Sequence, residues 1–198
     1  MRLREWRAIW KRAQGRGTAY PHQLAFLLEL PLRKVLLSPR RLVSRLHLRA
    51  DDRVLEIGPG PGFFSVEVAR RVARGRLELF DLQRELLVKA RRKLTRTQQH
   101  HTGYVQGDAR TLPYRDDTFN VAFLVAVLGE VPDPPACLRE TARVLKAGGL
   151  LSVTELPGDP DFTPLPELRA LAEGAGLAFA ERFGSDRNFT ANFRKPQP

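Results

Sequence analysis

The sequence predicts an open α/β sheet, with helices on both faces and an antiparallel hairpin at its C-terminal end. Three observations carry this. From Val54 onward, short apolar runs alternate with segments of helical periodicity. The first apolar run leads directly into a loop with glycines at 58, 60 and 62, followed by a helical pattern. The last two strand-like runs are separated by only about five polar residues, as in a hairpin.

The chain has 198 residues, enough for one domain with a sizeable core. Its N-terminal fifty residues carry helical signals only. Residues 2–14 place Leu3, Trp6, Ile9, Trp10 and Ala13 at helical spacing, with arginines and Lys11 between them. A second short helix is expected over His22 to Glu29, with Pro21 near its first position. Ser38 is a good N-cap and Pro39 a good first residue, so Pro39 to Leu46 should be helical. We therefore read residues 1–50 as a helical cap, part of the same domain as residues 51–198.

The alternation then runs in order. Strands are expected at Arg53–Ile57, Arg76–Phe80 and Gly103–Gln106. A fourth at Thr118–Val127 is unbroken by charge and so central to the sheet. The fifth is expected at Leu150–Glu155, and the last two at Leu177–Phe183 and Phe189–Phe193. Helices are expected over Phe63–Val72 and over Gln83–Leu94, with Leu86, Leu87, Ala90 and Leu94 as the core stripe of the second. Asp133 should cap a helix from Pro134 to about Lys146, with Gly148 and Gly149 as its stop. The last helix should begin near Thr163 or Pro164 and end near Gly174.

Composition narrows the class. The hydrophobic fraction of 42% is ordinary for a globular protein, and no apolar stretch is long enough to span a bilayer. The basic N-terminus lacks an apolar signal core, which predicts the cytoplasm. Cys137 is the single cysteine, so an intramolecular disulfide and a cysteine zinc site are excluded. It sits mid-helix and reads as a packing residue. His47, His100 and His101 read as surface residues, and no metal spacing joins them. Net charge is +11: residues 1–53 contribute +9, residues 54–110 +5 and residues 111–198 −3. The basic third would suit nucleic acid, anionic lipid or an acidic substrate. It would equally suit a solvated surface in a chain where Arg outnumbers Lys throughout.

The chemistry concentrates on Val54 to Gly62. A buried strand, a tight glycine loop and a helix N-terminus together hold a small ligand. The dinucleotide fingerprint requires a third glycine at position 63, where this chain has Phe63. The pattern is instead acid-x-Gly-x-Gly-x-Gly. Three acids, Glu56, Asp81 and Asp108, end or follow the first three strands.

These motifs, from Val54 to Glu155, resemble the class I S-adenosylmethionine (SAM)-dependent methyltransferases. The similarity is to the small family that includes ubiquinone/menaquinone and arsenite methyltransferases. Val54–Gly62 resembles its first motif and Leu79–Leu82 its second-strand motif. Gly107–Ala109, Leu112–Pro113 and Asp117–Phe119 resemble the next block. Leu138–Glu140, Arg143–Lys146 and Gly148–Gly149 resemble the helix and turn before strand five. The chain departs from the pattern at Asn120, commonly Asp, and at Ala147, commonly Pro.

The resemblance implies a Rossmann-like class I methyltransferase fold with a mostly parallel seven-stranded sheet. It also implies SAM as cofactor. Asp81 would take the ribose diol, Asp108 the adenine amine with the Ala109 N–H on the ring, and Glu56 would support the loop and the ligand's amino end. Gly58, Pro59, Gly60 and Gly62 would accommodate the methionine portion, with Leu82 and Val125 completing the cofactor set. A sulfonium cofactor bears no phosphate, and no basic residue lies between Val54 and Val68.

Methyl transfer from SAM is an in-line displacement in which the protein mainly positions the nucleophile. Tyr20, His22 and Glu130 are the candidate catalytic residues, with Glu155 a further polar group near the methyl; for His22 helix capping is the alternative role. No metal is expected. The leading expectation is methyl transfer to a small or lipid-like acceptor. An RNA or protein methyltransferase, a non-catalytic SAM-binding protein and an NAD-linked oxidoreductase are the alternatives, the last disfavoured by Phe63. Nucleic acid is a partner that the sequence allows without favouring. Peripheral membrane contact is allowed as well.

Overall fold

The computed structural model describes residues 37–197. The tryptophan-bearing helix expected over residues 2–14, and that over 22–29, lie outside the described residues. Of the cap expected over 1–50, the described part is helix α1, Pro39–Arg45, whose N-terminus is capped by Ser38 accepting from the Arg41 N–H at 3.2 Å.

Next come β1 (Arg53–Ile57), α2 (Ser65–Arg71), β2 (Arg76–Asp81), α3 (Arg84–Arg96) and β3 (Thr102–Gln106). The order continues with β4 (Phe119–Val125), a 3-10 turn (Leu128–Glu130), α4 (Pro134–Val144) and β5 (Leu145–Glu155). It closes with α5 (Leu165–Gly174), β6 (Ala178–Ser185) and β7 (Asn188–Arg194). The seven strands form one sheet in the order β3-β2-β1-β4-β5-β7-β6. β1 to β5 are parallel, while β7 runs antiparallel to both β5 and β6.

One core lies on each face of the sheet. Leu42 from α1 with Leu37 and Leu46 on either side of it, Val68 and Ala69 from α2, and Leu87, Ala90 and Leu94 from α3 fill one side. Cys137, Leu138 and Val144 from α4, with Leu168 and Ala172 from α5, fill the other. The α3 stripe is the one its periodicity predicts, and each leucine so buried contributes roughly 2 kcal/mol. Cys137 is fully buried, and burial pushes its thiol up to about 12, so it packs. His101, expected on the surface, is half-buried with its ring nitrogen 2.8 Å from the Ala69 carbonyl.

Three boundaries differ from expectation. α2 begins at Ser65, because Phe63 and Phe64 belong to the turn that closes the glycine loop. β5 begins at Leu145, five residues earlier than expected. Leu145 pairs with Phe119 and Leu150 with Val121, so residues 146–149 bulge from the ladder, with Gly148 at φ +73°. The glycine pair therefore shapes a bulge rather than ending a helix. The β6–β7 hairpin turns in two residues, Asp186 and Arg187, since pairing continues out to Ser185 and Asn188.

The strand order reverses between β1 and β4. In a doubly wound sheet the crevice outside the strand carboxyl ends at such a point is where ligands bind.

Candidate functional site

A cavity of about 250 Å³ opens at that point, outside the carboxyl ends of β1, β2 and β4. The glycine loop is its floor. Gly58, Gly60 and Gly62 have φ of +68°, +56° and +80°, the left-handed region that side-chain-bearing residues avoid. The Gly58 N–H donates to the Phe80 carbonyl at 2.8 Å, which ties the loop to the end of β2. A Cβ on Gly58 would lie 2.5 Å from a Val127 methyl. Gly62 does not line the cavity. A Cβ there would press on Ala90 at 3.1 Å, so Gly62 lets α3 pack against the loop.

Asp81 ends β2 and is buried. Its carboxylate accepts from the Gln83 N–H at 2.8 Å and from the Gly60 N–H at 3.3 Å. A carboxylate has about four acceptor positions, so these bonds orient Asp81 and leave capacity for a ligand. Burial raises its pKa to about 6; the two backbone donors oppose that rise without cancelling it. At neutral pH it is ionised.

Asp108 also lines the cavity, just after β3, and is half-exposed. Arg110 holds it. The guanidinium donates to both oxygens, at 2.7 to 3.0 Å, and the Arg110 N–H adds a bond at 2.9 Å. This side-chain hydrogen bonding keeps the Asp108 carboxyl below its ordinary range. Nothing in the sequence pattern pointed to Arg110, because an (i, i+2) pair across a turn follows no periodicity.

Glu56, Pro59, Leu82, Ala109, Val125 and Glu130 also line the cavity. Glu56 is buried, Leu82 is 55% exposed at the rim, and Glu130 closes the 3-10 turn. Tyr20 and His22 lie outside the described residues. Glu155 does not line the cavity: it is buried at the end of β5, and burial, with Asp159 and Asp161 nearby, lifts its pKa to about 8. The lining also includes Phe63, Phe64, Phe80, Gln83 and Leu86, which were not among the expected site residues. Ala126, in the cavity wall, has φ +54°, a strained conformation for alanine. Its N–H donates to the Thr154 carbonyl at 2.8 Å, which holds the turn after β4 against β5.

Among the described residues, the charged groups around the cavity are four acids, Glu56, Asp81, Asp108 and Glu130, and one base, Arg110, already engaged with Asp108. Such a wall favours a cationic ligand with hydroxyl and amine donors. It disfavours a diphosphate, whose charges would face carboxylates at short range. SAM, with a sulfonium, an ammonium group, a ribose diol and an adenine amine, fits that donor set. Among the described residues, no group of three or more His, Cys, Asp or Glu is arranged to hold a metal ion.

The fold is that of the class I SAM-dependent methyltransferases. The family described as "Methyltransferase domain" matches residues 55–153, and this chain belongs to it. Among curated proteins, the chain is 31% identical over 165 residues to the ubiquinone/menaquinone biosynthesis C-methyltransferase UbiE of Xylella fastidiosa, covering 80% of this chain and 65% of that one. Its counterpart in Ruegeria sp. is 30% identical over 153 residues, covering 71% and 61%. The chain thus spans a little under two thirds of the length of these relatives.

Among solved structures, a SAM-dependent methyltransferase from Aquifex aeolicus superposes with a TM-score of 0.83 at 20% identity, covering 89% of this chain and all of that one. The 4+2 cyclase SpnF gives 0.74 at 19% identity, covering 84% and 82%. These likenesses establish the fold; a fold of this kind carries more than one chemistry.

Proposed function

We propose that this chain transfers a methyl group from SAM to a small or lipid-like acceptor. The observation that carries the reading is the acid-lined cavity on the glycine loop at the β1/β4 switch, with Asp81 oriented by two backbone N–H groups. SAM supplies an already activated methyl group on a cationic sulfur. The chain's own residues have only to bind, orient and exclude water.

In this reading Asp81 accepts from the ribose hydroxyls and Asp108 from the adenine amine, with the Ala109 N–H on the ring. Glu56 meets the cationic amino end. Gly58, Pro59, Gly60 and Gly62 shape the loop, while Leu82 and Val125 give apolar contact. Glu130, at the cavity wall, is the described polar group best placed to orient an acceptor; Tyr20 and His22 would act from the cap over residues 1–50. The C-methyltransferase relatives, named for ubiquinone and menaquinone biosynthesis, support a small or lipid-like acceptor. A cytoplasmic location belongs to the same reading.

Calorimetry with SAM, S-adenosylhomocysteine and NAD tests it. The first two should bind at micromolar level and NAD should not. Tight NAD binding without a SAM response would overturn it.

A further inference from the structure

The two helical layers of this fold are unequally charged. α1, α2 and α3 share one face of the sheet, and they carry three, two and six Lys/Arg against a total of two Glu. α4 and α5, on the other face, carry three Arg against three Glu. A compositional preference for arginine would load both faces alike. The second layer is thus an internal control, and the first layer's excess is a property of that surface.

The basic residues of this layer point outward. Arg40, Arg41, Arg71, Arg92 and Arg96 are exposed, and the apolar side of each helix is in the core. The two exposed large hydrophobic residues among those described both belong to this side. Val88, 40% exposed, lies on α3 beside the basic row; Leu82, 55% exposed, lies just before α3 at the rim of the cavity. α1, α2 and α3 contain no aromatic residue, so these helices themselves offer no platform on which bases could stack.

We propose that the outer surface of α1–α3 docks on an anionic lipid bilayer. Basic side chains would meet the headgroups and Val88 the interface, and the cavity mouth, with Leu82 at its rim, would lie at the edge of the docked face. Each basic residue near such a surface contributes a modest attraction, and a set of nine or more sums to stable but salt-sensitive binding. The inference rests on the proposed function in one respect: a lipid-like acceptor is what such a surface would bring within reach.

The full chain is tested by co-sedimentation at about 0.1 M salt. The probes are vesicles of phosphatidylcholine alone, vesicles with added phosphatidylglycerol, and a single-stranded RNA oligomer. Two variants of equal charge change are compared, Arg92→Glu/Arg96→Glu on α3 and Arg115→Glu/Arg139→Glu elsewhere; all four positions are exposed. We expect binding to the anionic vesicles only. The α3 variant should lose about thirtyfold in affinity and the second variant no more than about threefold. Absence of anionic-vesicle binding, equal loss in both variants, or tighter binding to RNA that the α3 variant abolishes would each overturn the proposal. SAM calorimetry on the same samples keeps the outcomes distinct: lost vesicle binding with intact SAM binding refutes the docking surface alone.

Discussion

Replacing Asp81 with alanine removes the one buried carboxylate that the loop and β2 hold between them. In the folded protein this group accepts from Gln83 and Gly60 and is ionised above about pH 6. With SAM bound it would accept two further hydrogen bonds from the ribose. Bonds to a charged group contribute about 1.5–3 kcal/mol, so affinity should fall by roughly ten- to a hundredfold at pH 8. The same carboxylate sets a pH signature. Only its ionised form accepts both hydroxyls, so wild-type affinity should weaken as pH falls through about 6, by at most about tenfold per unit. The variant should show no such slope. Stability runs in the opposite sense. A carboxyl whose pKa is raised by burial stabilises the fold most below its unfolded value of 3.8, and that contribution is lost as pH rises towards about 6. The variant therefore loses no buried charge-pairing at pH 8 and should remain folded. Calorimetry from pH 5 to 8, with circular dichroism on the same samples, reads both effects. Unchanged affinity in a folded variant, or a flat wild-type profile, would refute the assignment.

Other predictions follow from the same geometry. Gly60→Val should abolish SAM binding, because a β-branched residue is strained at φ +56° and the loop must approach the ligand closely; normal binding by that variant would show that it does not. Glu155→Gln should stabilise the protein at pH 9 by about 1–3 kcal/mol and leave it nearly unchanged at pH 4.5. Burial raises Glu155 to about 8, so its stabilising contribution fades from pH 4.5 upward and is gone above 8; denaturant titration of the wild type giving no such decline relative to the variant would contradict this. Arg110→Met should free Asp108 and tighten SAM binding modestly, by less than about fivefold, since an ion pair this exposed is screened by water and contributes little. Weakening of more than about tenfold would mean that Arg110 holds Asp108 in its working orientation.

The parts of the fold that the sequence made legible are those where one physical signal dominates. The central strand β4 is a near-continuous apolar run because both its faces are covered, and α3 has a clean stripe. The acids at the strand ends stood in register with the glycine loop, and all three line the cavity there. The misplaced boundary at β5 has a definite cause. Lys146 and two glycines look like a helix end, and only the pairing of Leu145 with Phe119 shows them to be a bulge. That bulge is held by contacts distant in sequence. The Asn120 side-chain oxygen accepts from the Lys146 ammonium at 3.1 Å and from the Arg53 N–H at 3.0 Å, contacts that an Asp oxygen at 120 could equally accept. Arg110 was missed for a similar reason. A guanidinium that folds back on a neighbouring carboxylate leaves no pattern in a sequence. The role of Gly62 is likewise visible only in three dimensions, where its missing side chain admits Ala90.

Methyl transfer itself is the most direct test. The full chain is incubated with SAM labelled on its methyl group and a bacterial lipid extract, and the label is followed into the organic phase. The account predicts label in an extractable lipid-like product with the wild type and little with Asp81→Ala. Label that stays on SAM with every acceptor fraction, or passes only into RNA or protein, would contradict it.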